Sequence, residues 1–305
     1  MTDVALLNEL EPAAASLVER HLATAKEWFP HELVPWSMGR DFEKGEPVAE
    51  EGELSPGVRS ALFVNVLTED NLPYYFEEIK HMFGADGAWG EWSRRWTAEE
   101  GRHSIVIRDY LTVTRQVDPV NLERARMAQV SGGISPHPGN AMDGFAYLAL
   151  QELATRIAHH NTGKALPDPA GYEIMKRVAA DENLHFLFYR DLVGAAMEAD
   201  PSTTVEAIER QVTKFQMPGT GIPGFAGHAR AIANEGIYSL AIHHERILDP
   251  VVRKQWGIEA LGRLSASAEA ARERLLHFLD RMAKVAARMR DRAAEGADKA
   301  MRRTG

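Results

Sequence analysis

Apolar residues recur along this chain at spacings of three and four, the period of a helix face, and the alternation that marks strands is almost absent. Residues 4–28 carry Leu6, Leu7, Leu10, Ala13, Leu17, Val18, Leu22 and Ala25 on one stripe, which predicts an amphipathic helix. Pro12 marks either a kink or the start of its longer part. Residues 29–55 have no period and hold Pro30, Pro35 and Pro47, so a long ordered loop is expected there. Ser55-Pro56 combines a capping side chain with proline at the first helical position. The helix it opens runs through Val58, Leu62, Val66, Glu69 and Leu72 toward Phe83. It should bend at Pro73, which cannot donate to the carbonyl of Glu69.

Beyond Gly84 and Gly87 a helix carries Trp89, Trp92, Trp96, Glu100, His103, Ile107 and Tyr110 on one stripe. A segment over residues 117–130, with Pro119 near its start, and a Gly/Pro loop down to Asn140 follow. Residues 142–160 set Phe145, Leu148, Glu152, Thr155 and Arg156 in register, and Asn161-Thr162-Gly163 closes that helix. Residues 172–197 form the next, with Glu182 and His185. One more helix reaches Phe215, a loop spans 217–224, and two amphipathic helices at about 226–247 and 249–292 complete the pattern. The expected fold is all-α and one domain over residues 1–292, with residues 293–305 a fraying tail rich in Arg, Lys and Ala.

Composition narrows the chemistry. The chain has no cysteine, which removes disulfides, thiolate-held zinc and any iron–sulfur cluster of its own. A metal must then be held by carboxylate oxygen and imidazole nitrogen, a set that suits iron or manganese. The net charge of −9 disfavours nucleic acid as a ligand. No apolar run is long enough to span a bilayer, and the acidic, amphipathic start argues against a secretory leader. The cytoplasm is the expected location.

Two stretches repeat one idea. Glu100 and His103 stand at i and i+3 in Trp96-Thr97-Ala98-Glu99-Glu100-Gly101-Arg102-His103, and Glu182 and His185 do so in Ala179-Ala180-Asp181-Glu182-Asn183-Leu184-His185. On a helix that spacing puts carboxylate and imidazole side by side on one face. One such pair is common on polar helices. Two of them, with Glu69 and Glu152 on the apolar stripes of two further helices, match the ligand pattern of ferritin-like di-iron bundles. Buried carboxylates are costly unless paired or metal-bound. Glu69, Glu100, His103, Glu152, Glu182 and His185 are therefore candidate ligands of two metal ions in a ferritin-like four-helix core with flanking helices.

Other residues have two readings each. Thr155 lies one turn beyond Glu152, where its hydroxyl either relays a proton to the site or bonds back to its own helix. Glu99 and Asp181 precede a ligand Glu, and either orient a neighbouring helix's histidine or stay solvated. His159-His160 and His243-His244-Glu245 lack a matching partner elsewhere and read as solvated or helix-terminal.

These motifs carry a family resemblance. Leu67-Thr-Glu-Asp-Asn-Leu-Pro-Tyr74, Trp96-Thr-Ala-Glu-Glu-Gly-Arg-His103, Gln151-Glu-Leu-Ala-Thr155 and Ala180-Asp-Glu-Asn-Leu-His185 resemble the soluble acyl-acyl-carrier-protein desaturases, most closely the mycobacterial-type branch, over about residues 5–285. The resemblance implies iron at the six ligand positions, with manganese an alternative as isolated, and ties Thr155 to oxygen activation. It implies a fatty acyl substrate on acyl carrier protein, a ferredoxin-type electron donor, a homodimer, and an acyl channel lined by Gly144 and Phe145. Gly101 replaces the Asn usual at that position. A carrier protein is acidic, so a basic patch is expected, with Arg253/Lys254, Arg272/Arg274 and Arg281/Lys284 as candidates. A di-iron hydroxylase or N-oxygenase would use the same six ligands, and a ferritin-like metal-binding protein without activity is the third reading.

Overall fold

The chain winds its long helices around a central four, so that one helix is enclosed by its neighbours. The computed structural model describes residues 2–43 and 54–304, with side chains described to Asp291. Among the described residues there are twelve α-helices and no strand. The central four are α3 (Pro56–Glu69), α5 (Gly87–Val113), α7 (Ala141–Ala165) and α8 (Pro169–Ala199). Around them lie α1 (Asp3–Thr24), α4 (Leu72–Phe83), α6 (Pro119–Gly132), α9 (Pro201–Lys214), α10 (Phe225–Asn234) and α12 (Ala266–Thr304), with short α2 (Pro30–Leu33) and α11 (Leu240–His243) between.

Local chemistry sets the starts. The Ser55 side chain accepts from Val58 N–H, Asn140 Oδ1 from Asp143 N–H at 2.9 Å, and Asp168 Oδ1 from Gly171 N–H at 2.8 Å. Each cap satisfies a donor that the first helical turn leaves free. Every residue from Ala141 to Leu150 is buried, as expected of a helix that is apolar all round. α7 and α8 lie close. A Cβ on Gly163 would stand 2.9 Å from Met175 Cβ, so only glycine allows this approach.

Several boundaries differ from the sequence pattern. Pro12 sits inside an unbroken α1. The proposed bend at Pro73 is a break: α3 ends at Glu69, α4 starts at Leu72, and Pro73 fills the first turn of the new helix. The expected loop over 29–55 contains α2 and a 3₁₀ turn at Trp36–Met38, while Pro47 lies outside the described residues. α7 continues past Asn161-Thr162-Gly163 to Ala165. The helix expected over 226–247 is interrupted after Asn234 and restarts at the Ser239 cap as α11. Its continuation, His244–Gln255, is π-helical around Pro250. A further interruption precedes α12, where Gly257 and Arg263 take positive φ. α12 continues as helix through residues 293–304, the stretch expected to fray.

Candidate metal centre

Glu69 ends α3, Glu100 and His103 lie mid-α5, Glu152 lies on α7, and Glu182 and His185 lie mid-α8. All six are buried, from 0% exposure at both histidines to 7% at Glu69. The fold brings them into two overlapping groups. Glu69, Glu100, His103 and Glu182 offer ligand atoms all within 4.8 Å of one another, as do Glu100, Glu152, Glu182 and His185. Glu100 and Glu182 belong to both.

The side chains themselves fit a cation. His185 Nδ1 is 2.8 Å from Glu100 Oε1, yet both atoms are buried with no hydrogen bond, because the approach is not aligned for one. His103 Nδ1 and Glu152 Oε2 are likewise buried without a hydrogen-bond partner. Orphaned atoms in a protein core are rare. Here they are two imidazole nitrogens and two carboxylate oxygens in one cluster, the donor set of iron or manganese. Titration agrees. Burial pushes Glu100 and Glu152 up, and the neighbouring Glu182 charge adds to it. At Glu69 and Glu182 burial is outweighed by the adjacent imidazoles of His103 and His159, which hold both carboxyls low. Burial would lower His103 and His185, but the facing carboxylates raise both well above the usual imidazole value. Burial and crowding favour protons on Glu100, Glu152 and the two imidazoles, and divalent cations would take their place.

The outer face of each histidine meets a carboxylate from the other helix, with a hydrogen bond only at His185. Glu99, on α5, accepts at 3.0 Å from Nε2 of His185 on α8. Asp181, on α8, lies 3.5 Å from Nε2 of His103 on α5. Glu99 also meets His21 Nε2 at 2.9 Å and Arg95 at 2.5 Å. Asp181 accepts from Trp28 Nε1 at 2.8 Å and Arg102 at 3.1 Å, and pairs with Arg177. Both carboxylates are buried and not solvated. Thr155 Oγ1 bonds back to its own helix at the Glu152 carbonyl, 3.0 Å, and also reaches Glu182 Oε2 at 3.0 Å.

His159 corrects the sequence reading. It is 1% exposed, not solvated, and its Nε2 lies 3.2 Å from Glu69 Oε1 and 3.4 Å from Glu182 Oε1. Asn65 Nδ2 faces its other nitrogen at 3.2 Å. Burial lowers this imidazole, but Glu182 and Glu69 override that and push it up to about 9. The signal was present: His159 follows Glu152 by seven residues, two turns along the same face. His243 and His244 are also buried, His243 against Tyr238 Oη at 2.8 Å, and lie away from the centre. Trp96, which donates to Glu152 Oε1 at 3.0 Å, gave no sequence sign of that role.

An apolar cavity opens onto the carboxylates. Tyr75, Ile79, Met82, Tyr147 and Leu148 form its wall, and Glu69, Glu100, Thr155 and Glu182 its polar side toward the cluster. Gly144 and Phe145 do not line it. Phe145 is fully buried against Phe83, ring centroids 4.7 Å apart. Gly144 backs the wall, where a Cβ would stand 2.8 Å from Met82 Sδ. A polar vestibule lined by Ser135, His137, Arg210, Lys214 and Gln216 shares Tyr75 and Tyr147 with the cavity.

A helical bundle with paired carboxylate–histidine clusters beside an apolar cavity defines the class: a ferritin-like bundle with a candidate two-metal site. The fatty acid desaturase family model matches residues 2–304, and the chain belongs to that family, among its acyl-acyl-carrier-protein desaturases. DesA1 of Mycobacterium tuberculosis, named a putative acyl-acyl-carrier-protein desaturase, is 44% identical over 271 residues, covering 85% of this chain and 79% of that protein. The chloroplastic acyl-acyl-carrier-protein desaturase 7 of rice is 32% identical over 315 residues, covering 95% and 78%. The X-ray structure of DesA2 from Mycobacterium tuberculosis H37Rv superposes with a TM-score of 0.70 at 26% identity, covering 88% of this chain and 99% of that one.

Proposed function

We propose that this protein is a dioxygen-dependent desaturase that inserts a cis double bond into a fatty acyl chain carried on acyl carrier protein. Glu69, Glu100, His103, Glu152, Glu182 and His185 hold two iron ions in this reading, and manganese suits the same donors in the isolated protein. The observation that carries it is the meeting of two overlapping, buried ligand sets with an apolar cavity. Bound there, iron supplies the activation of dioxygen to an oxidant able to take hydrogen from an unactivated methylene.

The chain's own residues do the rest. Ile79, Met82, Tyr147 and Leu148 hold the acyl chain against the carboxylates and keep bulk water away. Glu99 holds the outward nitrogen of His185 and Asp181 stands beside that of His103, and both Nδ1 atoms face inward. Thr155 Oγ1, on the cavity side of Glu182, is placed to deliver a proton there. Converting dioxygen to two waters takes four electrons and four protons. The two C–H bonds supply two of each, so two electrons come from outside. With no cysteine in the chain, a separate ferredoxin-type protein provides them. Residues 1–292 act as one domain, in a cytoplasmic homodimer; no helix among the described residues is long and apolar enough to cross a membrane.

The test is product analysis. Iron-loaded protein with a reductant, dioxygen and a series of saturated acyl carrier proteins should yield an acyl product that has lost two hydrogens and gained no oxygen. A hydroxylated product, or oxygen consumption unaffected by any acyl carrier protein, would overturn the reading.

A further inference from the structure

One strongly charged surface is used by nothing described so far. Arg156, His160 and Lys164 stand four residues apart on α7 and share one stripe of the helix. Arg246, on the π-helical segment, comes up beside them: it acts electrostatically on both Arg156 and His160. Lys164 and Arg246 are exposed, and Arg156 and His160 half-buried. Among the described residues none of the three permanent cations has an acidic partner. The nearest acid in sequence, Glu245, pairs with Arg290. The neighbours that bear on His160 are Lys164, Arg156 and Arg246, all cations, which add to burial in holding its imidazole low.

This differs from two of the three basic pairs expected to meet an acidic partner, Arg253/Lys254 and Arg272/Arg274. Arg253 pairs with Asp249, Glu259 and Asp280, and Lys254 with Asp249. Arg272 pairs with Glu269 and Arg274 with Glu209. Those cations are neutralised within the chain. Clustering unpaired like charges is unfavourable in the free protein, all the more notable where the chain as a whole carries −9. An acidic partner relieves that repulsion.

We propose that the Arg156–His160–Lys164–Arg246 patch is the docking surface of the acidic protein that delivers electrons to the metal centre. The inference rests on the desaturase reading, which requires two electrons from outside. Placement favours an electron carrier over the acyl carrier. The acyl carrier must dock where its chain enters, and no patch residue lines the cavity or the vestibule. Tyr147, which lines both, lies thirteen residues before His160, about 20 Å along the helix. An electron carrier needs no opening, only a short connection. His160 is bonded through one peptide to His159, whose Nε2 is 3.2 Å from Glu69. Arg156 is bonded in the same way to Thr155, whose hydroxyl is 3.0 Å from Glu182.

The experiment uses the iron-loaded full chain, an acidic plant-type [2Fe–2S] ferredoxin and a saturated acyl carrier protein. In Lys164→Glu/Arg246→Glu the KM for ferredoxin should rise about tenfold or more and lose its salt dependence. Lys164→Gln/Arg246→Gln should move the same way by less. Iron content, the KM for acyl carrier protein and a single turnover of chemically reduced enzyme should stay at wild-type values. An unchanged ferredoxin KM with wild-type salt dependence would overturn the proposal. So would a raised KM for acyl carrier protein alone, which would assign the patch to that partner. If chemically reduced wild type makes no alkene, the desaturase reading fails instead, and direct titration of ferredoxin onto wild type and variant still decides the docking: equal Kd values refute it, a Kd about tenfold weaker in the variant supports it.

Discussion

The two halves of the centre look like repeats in sequence and are unlike in their surroundings. Each has a Glu-x-x-His motif, and each motif lends the carboxylate before its Glu to the other's histidine. On the His185 side the acceptor is Glu99, at hydrogen-bond distance, backed by His21 and Arg95. On the His103 side it is Asp181, one methylene shorter and at 3.5 Å, backed by Trp28, Arg102 and Arg177. His159 then enters one half only, between Glu69 and Glu182, whereas Glu152 in the other half meets Trp96. A repeated motif thus builds the candidate ligand set, and single residues outside the motif make the surroundings of its two halves different.

The sharpest test of that crosswise arrangement is to neutralise each acceptor in turn. Outer partners of metal ligands are worth about 10–100-fold in metal affinity or activity. Glu99→Gln should reach the upper part of that range. Asp181→Asn should cost less, because its contact to His103 is longer and two arginines and a tryptophan still fix the residue. Iron affinity measured by competition with a chelator checks both, and equal losses would erase the asymmetry.

A smaller effect is expected at His159. His159→Leu leaves Glu69 without its donor and should weaken iron binding by about tenfold at one of the two positions, while His159→Gln, which keeps an N–H donor, recovers part of it. Two-step release of iron under chelator would report this. A single step identical to wild type would show that His159 does not distinguish the halves.

The smallest effect lies in the motifs' own middle positions, Gly101 on α5 and Asn183 on α8. A Cβ on Gly101 would meet nothing closer than Leu72 Cδ2 at 3.8 Å. Gly101→Ala should therefore stabilise the fold by about 0.5–1 kcal/mol, the difference in helix propensity, with iron content unchanged. Urea unfolding of both proteins measures it; a destabilised variant would mean α5 needs glycine for another reason.

What could be read before the structure follows the same division. The six candidate ligands and Thr155 were legible because α-helical period puts residues three, four and seven apart on one face, and their apolar neighbours marked that face as inward. Glu99 and Asp181 were half legible: their place beside a ligand was plain, but whether they met solvent or a histidine depended on how α5 and α8 cross. His159 was misread because its partners, Glu69 and Glu182, lie on other helices and no local motif joins them. His21 and Trp28 were silent, since their contacts form only when α1 and the stretch after it fold over α5 and α8. The cavity wall was misplaced for a related reason. Gly144 and Phe145 lie one layer behind Met82, and a helix apolar all round does not show which side faces a cavity.

Sharing of carboxylates between the two positions is the central claim, and counting iron tests it most directly. Glu100 and Glu182 belong to both ligand groups, while Glu69 and Glu152 each belong to one. Wild type loaded with ferrous iron without oxygen should hold two irons per chain. Glu182→Gln should hold almost none while keeping its helical circular dichroism, whereas Glu69→Gln should keep one more tightly than the other. Two tightly held irons in Glu182→Gln would contradict the account.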